Sequence, residues 1–229
     1  MSTDLKIAIG DTWQPKYLPY FSMCIMGLML ITNVLNLKFV NIGGYSVIAS
    51  EITYVFSLIL ADILSEVYGY RRVRRLLYVG LFFLVVYAVF LQLAVILPPA
   101  KGYSNDEAFR AVFSQAPRIV AASIAAYFVT ELTASFIMSR LKVYFRAKYF
   151  YGRAVASVGI AQIINGITFF SIAYLGEMPL SLILSAGSLS WIIVMLCELC
   201  ILPLTKKLAW SVKELEGVEH FDAAPRAAA

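Results

Sequence analysis

Apolar residues along this chain gather into six long blocks separated by short polar stretches, with neither an alternation of period two nor a single amphipathic stripe. An α-helix needs roughly 20 mainly apolar residues to cross the hydrocarbon of a bilayer, and only helices or closed barrels satisfy every backbone group there. The blocks run from Pro19 to Leu37, Tyr45 to Glu66, Leu76 to Leu97, Pro117 to Arg140, Ala154 to Leu175 and Leu180 to Leu204. A membrane barrel would interleave lumen-facing polar residues with lipid-facing ones, and the blocks are continuous instead. The pattern predicts an all-α membrane protein, a six-transmembrane-helix bundle. Its parts are an N-terminal segment over 1–18, a transmembrane domain over 19–205 and a C-terminal tail over 206–229, with no further domain boundary.

Composition agrees. Of 229 residues, 61% are hydrophobic and only 14% charged, and the mean hydropathy is +0.79. Soluble domains carry about 25% charged residues. Trp13, Tyr17 and Tyr20 suit an interfacial belt at the start of the first span. The first seventeen residues lack the basic start, apolar core and small-residue cleavage site of a secretory signal, so the first span itself is expected to direct insertion.

A net charge of +5 raises the question of a nucleic-acid partner. The distribution of charge answers it. With six spans, fifteen of the 19 Lys and Arg fall on one side: Lys6 and Lys16, the cluster from Arg71 to Arg75, then Arg140, Lys142, Arg146, Lys148 and Arg153, and finally Lys206, Lys207, Lys213 and Arg226. Lys38, Lys101, Arg110 and Arg118 fall on the other. The positive-inside rule then puts both termini in the cytoplasm, and the lipid bilayer replaces nucleic acid as the partner. Val67 to Arg75 reads as a short cytoplasmic loop, Pro98 to Ala116 as a longer external connector or pocket cover, and Val218 to Ala229 as a disordered tail.

A carboxylate at bilayer depth costs about 2.5–3.5 kcal/mol, so one that persists usually faces a bundle interior or a cavity. Asp62 and Glu66 lie one turn apart on the second block, Glu131 on the fourth and Glu198 on the sixth. For Asp62 and Glu66 two readings stand at even weight: ligand binding, or pairing with the Arg71–Arg75 cluster. Glu131 and Glu198 have no basic residue at matching depth, which favours a ligand or a proton. Gln162 and Asn165 on the fifth block, and Asn33 and Asn36 on the first, serve equally well as interhelical hydrogen bonds or as ligand contacts. Glu51, near the end of its block, is expected to be solvated or snorkelling. Tyr54, Tyr127, Phe169 and Phe170 are packing residues or, as a set, a surface for a flat ring. Carboxylates, amides and aromatic faces together suit a nucleobase-like solute.

Other chemistry is poorly supported. Cys24, Cys197 and Cys200 fall within blocks and read as packing residues. His220 is the only histidine, so no histidine-based metal site or triad is available, and no cofactor or metal is expected. There is no G-x-S-x-G or H-E-x-x-H constellation for an intramembrane enzyme, and no phosphate loop for ATP hydrolysis. Ala121, Ala122, Ala125 and Ala126 make overlapping small-xxx-small pairs suited to close helix packing. A structural membrane protein, binding no solute and using its acids for helix pairing, is the alternative class.

Asn33, Lys38 and the run Ala61-Asp62-Ile63-Leu64-Ser65-Glu66-Val67-Tyr68-Gly69-Tyr70-Arg71-Arg72-Val73-Arg74-Arg75 resemble the queuosine precursor transporters, also called the vitamin uptake transporter family. The D-x-x-[ST]-E-V-Y-G-x-[RK]-x-[AV]-R-R pattern is long and specific. Tyr127 with Glu131, then Arg153, Gln162, Phe169-Phe170-x-Ile172-Ala173-x-Leu175-Gly176, and Glu198 five before Pro203 extend the likeness over nearly the whole membrane region. The resemblance implies a six-helix bundle in the bacterial cytoplasmic (inner) membrane, similar to the substrate-binding components of energy-coupling-factor importers. Its implied task is uptake of a 7-deazaguanine compound (7-cyano-7-deazaguanine or 7-aminomethyl-7-deazaguanine) or queuine for tRNA modification. The alternative is a substrate-binding subunit of such an importer for another vitamin-sized solute. Implied partners are the small-molecule substrate and either a separate ATPase and scaffold module or a proton gradient. The family pattern carries an acid where this chain has Asn165, another near Ala134, and a lysine on the last span nearest Val194. With no such lysine, Glu131 and Glu198 are expected to take the guanidine-like edge or a cationic arm, and Gln162 and Asn165 the remaining ring edge.

Overall fold

Long runs of Leu, Ile, Val, Ala and Phe, almost free of proline, propagate as helix once nucleated, because every backbone bond is made within the segment. The computed structural model describes residues 6–9, 15–144 and 150–221. Trp13, Arg146, Lys148 and Arg226 lie outside the described residues, as do the side chains of Lys6, Ala134, Lys142, Arg153, Pro203, Lys206 and His220. Seven helices occur among the described residues: α1 (Leu18–Leu35), α2 (Glu51–Tyr68), α3 (Tyr70–Ile96), α4 (Asp106–Phe113), α5 (Ala116–Tyr144), α6 (Phe150–Tyr174) and α7 (Leu180–Glu216). Four short strands accompany them: β1 (Lys6–Ile9), β2 (Phe39–Ile42), β3 (Tyr45–Ile48) and β4 (Val218–Phe221).

Four helical stretches among the described residues are long and apolar enough to cross a membrane: Leu18–Leu35, Arg71–Ile96, Asp106–Thr133 and Leu180–Ile201. Val158–Tyr174 is a shorter apolar helix. The 18-residue α2 carries Glu51, Asp62 and Glu66, which sets it apart from the four. The chain is a predominantly helical, multi-pass membrane protein.

The element boundaries differ from the sequence expectation in five places. The block expected to begin a helix at Tyr45 opens instead with an antiparallel hairpin of β2 and β3, in which Ile42 pairs with Tyr45. Gly43 and Gly44 form its two-residue turn with φ of 61° and 90°, the conformation that favours glycine and matches strand twist. Asn41 Oδ1 accepts the Gly44 amide at 3.0 Å. The loop expected from Val67 to Arg75 shrinks to Gly69, whose φ of 83° ends α2. Its amide still donates to Ser65 O at 3.1 Å, and the arginines continue directly as the first turns of α3. The connector from Pro98 to Ala116 contains α4, whose Arg110 Nε pairs with Asp106 at 2.6 Å. Finally, α7 continues well past Leu204 to Glu216. At 37 residues it is about 55 Å long, against roughly 30 Å of hydrocarbon. Gly217 caps it, with its amide on Lys213 O at 2.9 Å. Val218–Phe221, expected to be a disordered tail, pairs in parallel with Lys6–Ile9.

The chain divides into two compact units. The first comprises Met1–Ile31, Ile52–Phe83 and Cys197–Ala229. Its core gathers Ile25 of α1, Ile63, Leu64, Val67 and Tyr68 of α2, Val73 of α3, and Ala209 and Val212 of α7. At Gly80 of α3 an added Cβ would lie 2.7 Å from Met29 Sδ, so the missing side chain permits a close approach. The second unit comprises Thr32–Glu51 and Leu84–Leu196. There α5 lies along α6, and Ala122, Ile119, Ala173, Phe170, Tyr174, Ile183, Ala186 and Ile48 form the core. Ala122 and Ala126 are buried, as a small-residue packing stripe requires. Arg118 closes the end of α6: Nε donates to Ile172 O at 2.7 Å, Nη1 to Glu177 at 3.0 Å, and Nη2 to Leu175 O. Carbonyls left without helical partners thus receive a cation, as helix C-termini favour.

Candidate functional site

In the first unit, Glu66 stands one turn after Asp62 on α2, so both acids share one face. Glu66 accepts Lys213 Nζ at 2.7 Å. The extension of α7 thus gives Glu66 an ion-pair partner, Lys213, that is not in the Arg71–Arg75 cluster. The Lys213 side chain is 8% exposed and that of Glu66 63%. Asp62 is exposed and has no hydrogen bond or ion pair among the described residues. Glu198 of α7, in the same unit, is a half-buried acid whose Oε2 is buried without a hydrogen-bond partner. Asp62 and Glu198 are thus two acids on two helices of one unit with no ion pair among the described residues. Embedded acids of this kind attract a cation.

The same unit contains a carboxylate that sequence reasoning missed. Glu216, in the last turn of α7, is buried and accepts three bonds: from the Lys16 amide at 3.0 Å, the Tyr17 amide at 2.9 Å and Tyr68 Oη at 2.8 Å. No local signal marks it, because all three donors lie far away in sequence.

In the second unit, Asn165 Nδ2 donates to Gln162 Oε1 at 3.2 Å across one turn of α6, so these two amides act together. Glu131 of α5 is half-buried and makes no hydrogen bond or ion pair among the described residues. Asn33 is buried and accepts Ser123 Oγ of α5 at 3.1 Å. Asn36 Oδ1 accepts Ser50 Oγ at 2.5 Å, and its backbone carbonyl accepts Tyr174 Oη at 2.7 Å. Phe169 stands edge-on to Phe170 and to Tyr174, with ring centroids 5.8 Å away in each case. That knot packs on the core of the unit. Tyr127 is half-buried and edge-on to Phe128 at 5.5 Å.

Glu51 is not the solvated residue expected. It is partly buried at the first position of α2, with Oε1 accepting the hydroxyl of Ser190 on α7 and Oε2 buried without a hydrogen bond. The sequence shows the acid but not the serine that covers it. No group of three His, Cys, Asp or Glu able to hold a metal occurs among the described residues, and the three cysteines are free thiols.

Residues 49–208 match the model of a protein family described as a putative vitamin uptake transporter. That range includes Asp62, Glu66, Tyr127, Glu131, Gln162, Asn165, Phe169 and Glu198, but not Asn33 or Asn36. A relative from Bacillus subtilis (strain 168), described as a probable queuosine precursor transporter, is 22% identical over 148 residues, or 64% of this chain and 65% of the relative. The chain thus spans just under two thirds of that relative's length. Both descriptions are of transport proteins, not enzymes. No solved structure matches the chain.

Proposed function

The chain belongs to the vitamin uptake transporter family, and from that premise we propose that it carries a queuosine precursor, a 7-deazaguanine compound or queuine, across the cytoplasmic membrane for tRNA modification. The name of the Bacillus subtilis relative and the Asp62-to-Arg75 run support the substrate class. In this reading α1, α2, α3, α5, α6 and α7 make six crossings of a bundle like the importer substrate-binding components, with both termini and the Arg71–Arg75 cluster on the cytoplasmic side.

The observation that carries the reading is the set of polar groups that helix packing leaves unspent. Glu198 keeps a buried oxygen without a hydrogen bond, and Asp62, Glu198 and Glu131 have no ion pair among the described residues. Within the first unit, Asp62 and Glu198 take the positive charge of a coupling proton. Glu131, with Gln162 and Asn165, reads hydrogen-bonding edges of the ring, and Asn33, Tyr127 and Phe169 shape the wall. Glu66 holds its acid ready beside Lys213. Energy comes from a proton gradient or from a separate ATPase and scaffold. The departures at Asn165 and Val194 favour one second reading, a subunit for another vitamin-sized solute, which stable co-purification with an ATPase would support.

The test is queuosine content of tRNA in a bacterial host that must salvage the base, with the gene present, deleted, or carrying Glu131→Ala. Deletion should abolish queuosine when precursor is supplied at low concentration, and Glu131→Ala should lower it at least tenfold at equal membrane abundance. Queuosine unchanged on deletion defeats the transport reading.

A further inference from the structure

Glu51 of the second unit is a buried acid that the proposed transport chemistry does not use. Ser190 satisfies one carboxylate oxygen, and the other is enclosed without a partner. A buried carboxylate normally has both oxygens hydrogen-bonded, so an acceptor left over inside a membrane protein calls for a donor. The hydroxyls nearby in the unit supply none. Each has a single proton, and Ser190 spends its proton on Glu51 Oε1, Tyr174 on the Asn36 carbonyl and Ser50 on Asn36 Oδ1. Among the described residues no basic side chain pairs with it either. The Lys38 carbonyl accepts the Ala49 amide at 2.9 Å, yet the Lys38 side chain is exposed, and the ion pairs among the described residues do not include Glu51.

The surroundings suit an organic donor rather than a metal ion. Tyr174 is linked to Ser50, the residue before Glu51, through Asn36, which accepts both hydroxyls, and it belongs to the aromatic knot with Phe169, Phe170 and Phe39. One turn before Ser190 on α7, Gly187 has no side chain, and a Cβ there would already touch the Phe170 ring at 3.6 Å. Carboxylate beside aromatic rings is the combination that holds a protonated amine or a paired N–H edge.

We propose that Glu51 and Ser190 form a specificity subsite for a ligand's protonated amine, with Ser190 fixing the carboxylate and the second oxygen accepting the ammonium. Its ligand assignment rests on the transport reading above. Ser190 is a positioning residue; Glu51 makes the contact.

The experiment compares initial uptake of two probes, the cationic 7-aminomethyl-7-deazaguanine and the neutral 7-cyano-7-deazaguanine, by cells expressing the full chain, Glu51→Gln or Ser190→Ala at matched membrane abundance. The isosteric amide keeps volume and one acceptor but loses the charge. The expected result is a loss of at least tenfold for the amine in Glu51→Gln, with nitrile uptake held within about twofold, and a smaller selective loss in Ser190→Ala. Equal losses for both probes would assign Glu51 to packing and overturn the proposal, as would no loss for either. A wild-type chain that carries neither probe, with queuosine in tRNA unchanged on gene deletion, overturns the transport reading and this ligand assignment together; wild-type uptake with an indifferent Glu51→Gln overturns the subsite alone.

Discussion

Replacing Glu216 by alanine removes the acceptor that ties the end of α7 to the start of α1 and the end of α2 within the first unit. Hydrogen bonds to a charged group are worth about 1.5–3 kcal/mol each, but three such bonds do not simply add here. Lys16 and Tyr17 are exposed, so their amides exchange the carboxylate for water at small cost. Tyr68 has no exposure at all, and its hydroxyl loses its acceptor inside the core. That orphaned donor costs about 1–3 kcal/mol, and the buried methylenes of Glu216 add roughly 1 kcal/mol. The expected loss is therefore about 2–4 kcal/mol, which for a chain of this length lowers Tm by about 5–15 °C.

The assay is thermal unfolding of purified protein in detergent, followed by circular dichroism, in a cycle with Tyr68→Phe. Phenylalanine removes both the hydroxyl and its need for a partner, so Glu216→Ala should cost less in that background. A coupling of about 1–2 kcal/mol is expected. If the two substitutions add within about 0.5 kcal/mol, the Tyr68–Glu216 bond is not what holds this end of the unit, and the reasoning fails.

Two further predictions concern the same unit and the same melting assay. Glu66→Gln should destabilise by about 1–3 kcal/mol because it removes the ion pair made by the largely buried Lys213 side chain, whereas Lys213→Met should stay within about 1 kcal/mol because the Glu66 side chain remains mostly solvated. The reverse order would show that the carboxylate is the buried partner. Gly69→Ala should cost about 1–2 kcal/mol, since alanine must adopt the φ of 83° that separates α2 from α3, and Gly69→Asn should cost less; an alanine variant as stable as wild type would mean that the junction relaxes into continuous helix.

The helices were legible because long apolar blocks leave the backbone no other way to satisfy itself in hydrocarbon. Their ends were not. The apolar residues Tyr45, Val47 and Ile48 merge into the block of α2, and only the Gly43–Gly44 pair separates strand from helix. At the other end, the residues from Lys207 to Glu216 are polar enough to read as a tail, yet they continue α7 and bury Ala209, Val212, Lys213 and Glu216. Partners divide in the same way. Gln162 and Asn165 meet one turn apart on a single helix, which spacing alone can indicate. Glu66 has Arg71 five residues away in sequence but pairs with Lys213, 147 positions distant. Asn33 with Ser123 and Glu51 with Ser190 likewise join helices whose contact no local pattern specifies. The cost of embedding a polar group flags that it has a task, but the partner that spends part of its hydrogen-bonding capacity belongs to the tertiary fold. What remains unspent after those partners are assigned, at Asp62, Glu198, Glu131 and Glu51, is therefore a sharper guide to solute chemistry than the polar residues taken together.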